Sequence, residues 1–292
     1  MMTLVKIIGG LGNQMFQYAF AYALAEKNQK EVKLDISGFK VYDLRNYELN
    51  IFNISLPLAS EKEIRELKYK SENIVKKVFR KLARKPLDIS ERYYIEPYFH
   101  FDEKVFNING YDYFDGYWQS EKYFMDYRDK IIKEFTLKNK LSLESQKYLE
   151  KIRVSNSVSL HIRRGDYISN SAVNKKHGTC GIEYYHNAIG LIKEKIKNPI
   201  FFIFSDDLLW CKENLTITEN QVFVELSKEV HDSEEMYLLS QCKHNIIANS
   251  SFSWWGAWLN QNNTKIVIAP ETWFKDGSKD TRDLIPDRWI RL

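Results

Sequence analysis

Five short runs rich in β-branched and aromatic residues mark the second half of the chain, at 157–162, 200–205, 221–225, 245–248 and 265–269. Helical patterns near 183–197, 207–214, 233–243 and 254–261 fall between them. Alternation of this kind predicts a parallel, doubly wound sheet, because each connection is long enough to carry a helix back across the sheet face. Ligands of such sheets gather at the carboxyl ends of the strands. The first strand, within SVSLHIRRGDY (157–167), passes from Val158, Leu160 and Ile162 straight into Arg163, Arg164, Gly165 and Asp166. Guanidinium groups at the end of a core strand need anionic partners, and their planar fork suits phosphate oxygens. An ion pair between one arginine and Asp166 is the plainer alternative, and it leaves the second arginine unexplained.

Two further strand ends carry polar clusters. One is Ser205, Asp206 and Asp207; the other is NSSFSWWG (249–256), whose serines precede a helix start and offer hydroxyls and backbone N–H groups to phosphate. Cations for phosphates, with carboxylates for a base or ribose, together suit a nucleoside diphosphate. Asp206 and Asp207 lack the DxD spacing of a divalent-metal site, so no metal is expected; orienting the arginines is their structural alternative. His161 reads as a strand residue whose backbone faces the ligand.

The first half opens with a strand at Thr3–Ile8, the turn GGLGNQ (Gly9–Gln14) and a helix that is apolar nearly all round, with Asn13 read as its cap. The turn lacks a full GxGxxG pattern. It permits close approach of a ligand to the backbone, and a purely structural turn explains it equally well. Ser60 and Glu63 form a capping-box signature that opens a helix expected over 60–85, with ten Lys/Arg against four Glu. That helix is either a solvated face or a surface for docking on an anionic membrane. The block YFDGYWQSEKYF (113–124) interleaves aromatic rings with Asp115, Gln119, Ser120 and Glu121. Such a mixture builds a sugar-binding wall or a seam between domains. The polar stretch 138–156 places the domain division near 150, giving domains 1–150 and 151–292.

A 44% share of hydrophobic residues supports full cores. The three cysteines have no CxxC spacing and are odd in number, which argues against a disulfide framework or zinc site and fits a reducing compartment. With no signal-peptide pattern and no apolar run long enough to span a bilayer, a cytoplasmic protein is expected, peripheral on the inner membrane face if the basic helix docks there. A net charge of +4 that is concentrated in one segment does not suit a nucleic-acid binder.

The motifs GGLGNQMFQYAFAYALA, GYWQSEKYF, HIRRGDY, FSDD and NSSFSWWGAWL, in this order and spacing, resemble the α-1,2-fucosyltransferase family (glycosyltransferase family 11) in its short bacterial form. The likeness spans about residues 4–275, and HxRRxDY is intact. It implies a GT-B-like α/β fold of two Rossmann-like domains facing a cleft, with the donor held mainly by the C-terminal one. It also implies inverting transfer of L-fucose, without metal or cofactor, from GDP-β-L-fucose to the 2-hydroxyl of a terminal galactose on a glycan such as an O-antigen or capsule. Arg163 would grip the donor phosphates, Arg164 support or join it, and Asp166 hold the pair in place. Glu235 would read guanine, helped by the His161 backbone, although some relatives have aspartate there. Ser250, Ser251 and Phe252 would line the diphosphate and base, with Gly12 and Asn13 approaching the pyrophosphate from the first domain. Asp115, Glu121 and Asn13 are the candidates for receiving the acceptor's proton. The alternatives are a GDP-sugar transferase of another linkage and a non-catalytic carbohydrate-binding protein; the latter leaves the arginine pair without a role.

Overall fold

The apolar runs assemble into two separate parallel sheets in the computed structural model, which describes all but residues 1, 72–79, 81, 82, 84, 166–170 and 216–219. The chain divides into two compact units, Met1–Thr136 and Leu137–Leu292. The division thus falls ahead of the polar stretch around residue 150.

The first unit runs β1 (Thr3–Lys6), α1 (Leu11–Asn28), β2 (Val32–Asp35), α2 (Glu61–Lys68), β3 (Tyr93–Ile95), β4 (Tyr113–Asp115) and α3 (Arg128–Glu134). Its sheet has the order β2-β1-β4-β3, every pair parallel. The apolar periodicity of α1 is realised as burial on nearly all sides, Met15, Phe16, Ala19 and Phe20 being wholly enclosed. The two glutamines that share this burial are satisfied. Gln14 Nε2 donates to the Gly9 and Asn46 carbonyls at 2.8 Å each, and Gln17 Oε1 accepts from Ile8 N at 2.8 Å. Gly10, not Asn13, caps this helix, and Asn13 lies inside its first turn. Trp118, Tyr123 and Phe124 of the aromatic block are buried core residues of this unit. Trp118 stacks on Phe20 with ring centroids 3.9 Å apart.

The Ser60–Glu63 capping box forms as its residues dictate, with Ser60 N donating to Glu63 Oε2 at 2.7 Å. The helix it opens does not continue to residue 85. It stops at Lys68, where Tyr69 turns extended (φ −120°, ψ 152°) and bridges antiparallel to Ile89. Backbone bonds from Lys70 N to Asp88 O and from Ser90 N to Lys68 O, 2.8 and 2.9 Å, complete this stem. A long-range pairing has overridden a run of good helix formers. Lys76, Lys77, Lys81 and Arg84 lie outside the described residues.

The second unit runs α4 (Leu143–Arg153), β5 (Asn156–Ile162), α5 (Ser171–His177), α6 (Ile182–Lys195), β6 (Pro199–Ser205), α7 (Leu208–Asn214), β7 (Gln221–Phe223), α8 (Asp232–Gln241), β8 (His244–Ile246), α9 (Ser251–Leu259), β9 (Val267–Ala269) and β10 (Ile290–Arg291). The sheet order is β10-β9-β8-β5-β6-β7, all parallel. Alternate residues of β6 feed opposite cores, and β5 adds its apolar face to one of them. Val158, Leu160, Phe201 and Ile203 pack with Tyr185, Ala188 and Ile192 of α6. Phe202 and Phe204 pack with Leu149 and Ile152 of α4 and Leu238 and Leu239 of α8. Each such side chain contributes roughly 1.5–3 kcal/mol on burial. From β5 the chain builds outward first through β6 and β7, then returns to β8 on the other side. The strand order therefore reverses between β5 and β8, the place where sheets of this type open a crevice. No helix among the described residues is long and apolar enough to cross a membrane.

Candidate active site

The reversal point sets the site. β5 delivers His161, Arg163 and Arg164 to the carboxyl edge, and β8, its neighbour, delivers Asn249 to Phe252 at the same edge. β6, on the other side of β5, ends at Ser205 and supplies Asp206 and Asp207.

Both arginines are braced by that aspartate pair. Arg163 Nη1 lies 3.0 Å from Asp206 Oδ2, and Arg164 N donates to Asp206 Oδ1 at 2.8 Å. Arg164 Nε donates to Asp207 Oδ2 at 3.3 Å, while its guanidinium carbon sits 3.7 Å from the centre of the Trp210 ring. The ring face holds the guanidinium flat by cation–π attraction. Asp207 also caps α7, accepting from Trp210 N at 3.1 Å, so the brace is anchored to a helix start. Gly165 lets the two strand ends meet: a Cβ there would lie 2.7 Å from Asp206 Oδ2. Asp206 and Asp207 thus orient the arginines, the structural role weighed for them above; Asp166, also expected to hold the pair, lies outside the described residues.

His161 is buried, with its Nε2 3.9 Å from Glu235 Oε1 and its ring 5.7 Å from that of Phe252. Burial, then the charge of Arg163, pulls the imidazole down to about 3, so it is neutral. Its Nδ1 is buried with no hydrogen-bond partner among the described residues. Glu235, in the first turn of α8, is pushed up to about 7 by burial and by the charges of Asp232 and Asp206, while Arg163 pulls it down. It lines a cavity of about 370 Å³ with Ser205, Leu208, Val224 and Leu226, beyond the carboxyl ends of β6 and β7. Lys212 and Glu225, an ion pair with each other, line it as well, so its walls are mixed, and Glu235 is the buried carboxylate within it that can meet N–H donors.

Ser250 caps α9, its Oγ accepting from Phe252 N at 3.3 Å, and Ser251 and Phe252 follow in the first turn. Asn249 is structural, its Nδ2 donating to the His177, Gly178 and Trp273 carbonyls. In the first unit, the turn after β1 bends through Gly9 at φ +91°, a left-handed backbone that favours glycine. Gly12 and Asn13 occupy the first turn of α1, and Asn13 Oδ1 accepts from Gln119 Nε2 at 2.7 Å. Asp115 ends β4 with its Oδ2 engaged by Lys6 Nζ at 2.9 Å and Tyr93 OH at 2.5 Å. Glu121 is buried in a short 3-10 turn at Glu121–Tyr123. The second unit therefore brings together His161, Arg163, Arg164, Glu235 and Phe252. The first unit ties Asn13 to the loop after β4, with Asp115 in a separate contact set. Trp210 was missed by sequence reasoning; its place three residues after a helix-capping aspartate was the available signal.

The family model described as Glycosyl transferase family 11 matches residues 1–292. The Alpha-1,2-colitosyltransferase of Escherichia coli is 38% identical over 298 residues, covering 99% of this chain and 98% of that protein. The Galactoside alpha-(1,2)-fucosyltransferase 2 of Sus scrofa is 26% identical over 301 residues, covering 100% and 80%. Among solved structures, the POFUT1 apo-form aligns with a TM-score of 0.50 at 9% identity, over 92% of this chain and 97% of that one, a likeness of GT-B-like fold alone. A family match that runs from the first residue to the last, on a chain that ends its central parallel strand in a braced arginine pair, makes this protein a member of glycosyl transferase family 11.

Proposed function

We propose that the protein transfers L-fucose from GDP-β-L-fucose to the 2-hydroxyl of a terminal galactose on a glycan, with inversion at the anomeric carbon and without a metal ion. The observation that carries this is the pair Arg163 and Arg164 at the end of β5, each braced by a carboxylate of the next strand end. The acceptor oxygen attacks the fucose anomeric carbon, and the bond from that carbon to the β-phosphate oxygen breaks. GDP leaves with the electron pair, and the acceptor proton passes to solvent or a carboxylate. Negative charge grows on the leaving oxygen as the ring takes oxocarbenium character. Arginines fixed beforehand stabilise this transition state more than the ground state, because no reorganisation is needed when the charge appears. Glu235 would accept the guanine N–H groups in the cavity it lines, with Phe252 beside the base and Ser250 and Ser251 at the phosphates. A metal would be redundant where two guanidiniums already meet the diphosphate. Asp115, with Lys6 and Tyr93 on one oxygen, is better suited to holding a sugar hydroxyl than to taking its proton.

The colitosyltransferase relative supports a second donor. Colitose is L-fucose without its 3-hydroxyl, so the same GDP clamp serves both sugars and only the sugar pocket separates them.

Incubation with GDP-fucose or GDP-colitose and a panel of β-galactosides, with and without chelator, tests both readings, the linkage being read by NMR. A chelator-resistant α-1,2 product is expected. Arg163→Ala should lower kcat about 10²–10³-fold in a folded protein, the loss of about 3 kcal/mol typical of one charge-stabilising donor. Arg163→Lys should recover only part of this, since the fork is lost. Near-normal turnover by Arg163→Ala would sink the assignment.

A further inference from the structure

The loop leaving β4, residues 116–120, is held in a costly shape. Trp118 adopts φ +54°, a left-handed conformation that crowds a bulky side chain. Its Nε1 is also buried with no hydrogen-bond partner among the described residues. Such costs persist only where the surroundings over-determine the conformation, and they point toward a use. Here the surroundings are explicit. The Trp118 ring is stacked on Phe20 at an interplanar angle of 10°. The carboxylate of Glu96 accepts from Tyr117 N at 2.7 Å and from Trp118 N at 3.2 Å. Gln17 Nε2 holds the Gly116 carbonyl at 3.2 Å, and Gln119 is tied to Asn13. Gly116 is required by contact alone: a Cβ there would lie 2.5 Å from Glu96 Cβ and 2.8 Å from Trp118 Cε2.

What the clamp produces is the placement of one ring. Trp118, Gln119 and Ser120 are all buried, whereas Tyr117 stands 46% exposed just beyond the carboxyl end of β4. We propose that Tyr117 is the platform on which the acceptor's galactose ring stacks, and that Glu96 is the positioning residue that fixes it. Galactose carries its C3, C4 and C5 hydrogens on one face, an apolar patch that matches an aromatic ring. A ring whose backbone is already locked loses little conformational freedom on binding. Tyr117 lies two residues after Asp115, whose carboxylate can meet a hydroxyl on the ring's edge. The assignment rests on the galactoside-transfer reading given above.

The test measures acceptor KM, kcat and GDP-fucose affinity on the full-length protein. Tyr117→Ala is expected to raise the acceptor KM about tenfold with donor affinity retained, and Tyr117→Phe to restore most of the loss. Glu96→Ala should move KM in the same direction, with partial rescue by Glu96→Gln, whose amide oxygen still accepts one backbone N–H. An unchanged acceptor KM in Tyr117→Ala overturns this inference alone. A parallel loss of donor affinity also overturns it, since that marks a role in the fold. If the wild-type protein transfers to no β-galactoside, the reading beneath fails and takes this one with it.

Discussion

At the scale of single residues, the most informative group is Glu235, because its environment works against the charge that its proposed role needs. Burial, then Asp232 and Asp206, push its carboxyl up to about 7, although 27% of its side chain stays exposed. An unfolded glutamate titrates near about 4.3. The folded protein therefore gains stability from the protonated form at low pH, and that gain is lost as pH rises from about 4 through about 7. In the proposed role guanine would reverse the preference, since its N–H donors need the ionised carboxylate, and binding would have to expel the proton. GDP-fucose, whose diphosphate does not titrate in this range, is expected to bind about tenfold more tightly at pH 8 than at pH 6. Glu235→Gln should bind weakly and without this dependence. Calorimetry at the two pH values decides the matter, and a pH-independent wild-type affinity would remove Glu235 from the base site. His161, neutral in the folded protein above about pH 4, adds no titration of its own to this binding.

Among elements, the close approach of α8 and α9 gives the sharpest stability prediction. Gly256 faces Leu239 so tightly that a Cβ would lie 2.9 Å from Leu239 Cβ, and Leu239 is wholly buried. On an open helix face, Gly→Ala gains about 1 kcal/mol from propensity. Here the obstructing atom is fixed to the backbone, and overpacking of about 1–3 kcal/mol outweighs that gain. Gly256→Ala should lower the Tm by a few degrees, and a rise would mean that the helices part more easily than their packing implies. These elements also mark how far the sequence could be read. The strand ending in Arg163 was legible because period and charge change abruptly at one residue, and the Ser60–Glu63 box because its partners are three residues apart. The brace from Asp206 is only one of the readings that local spacing allows, because nothing local links residues 42 apart. The stop at Tyr69 was hidden in the same way, its cause being Ile89. In the aromatic block, composition could not tell Trp118 and Tyr123, which build the core, from Tyr117, which leaves it.

For the whole molecule, the remaining feature is where its positive charge is carried. The net charge is +4, yet residues 71–87 alone hold six Lys/Arg against one Glu. The described residues that flank it are joined by the Tyr69–Ile89 bridge and its neighbouring backbone bonds. Each Lys or Arg near an anionic bilayer contributes about 1 kcal/mol at low ionic strength, and the attraction decays within a Debye length of about 8 Å at physiological salt. We therefore expect vesicles containing an anionic lipid to retain the protein in low salt and release it as salt rises, while neutral vesicles do not retain it. Replacing Lys76, Lys77, Arg80, Lys81, Arg84 and Lys85 by glutamine should abolish retention and leave turnover of a soluble galactoside intact, since these residues are remote in sequence from Arg163, Arg164 and Glu235. Retention that survives the replacement would place the attraction elsewhere on the surface. Failure of the wild-type protein to bind at low salt would leave the basic segment as a solvated face.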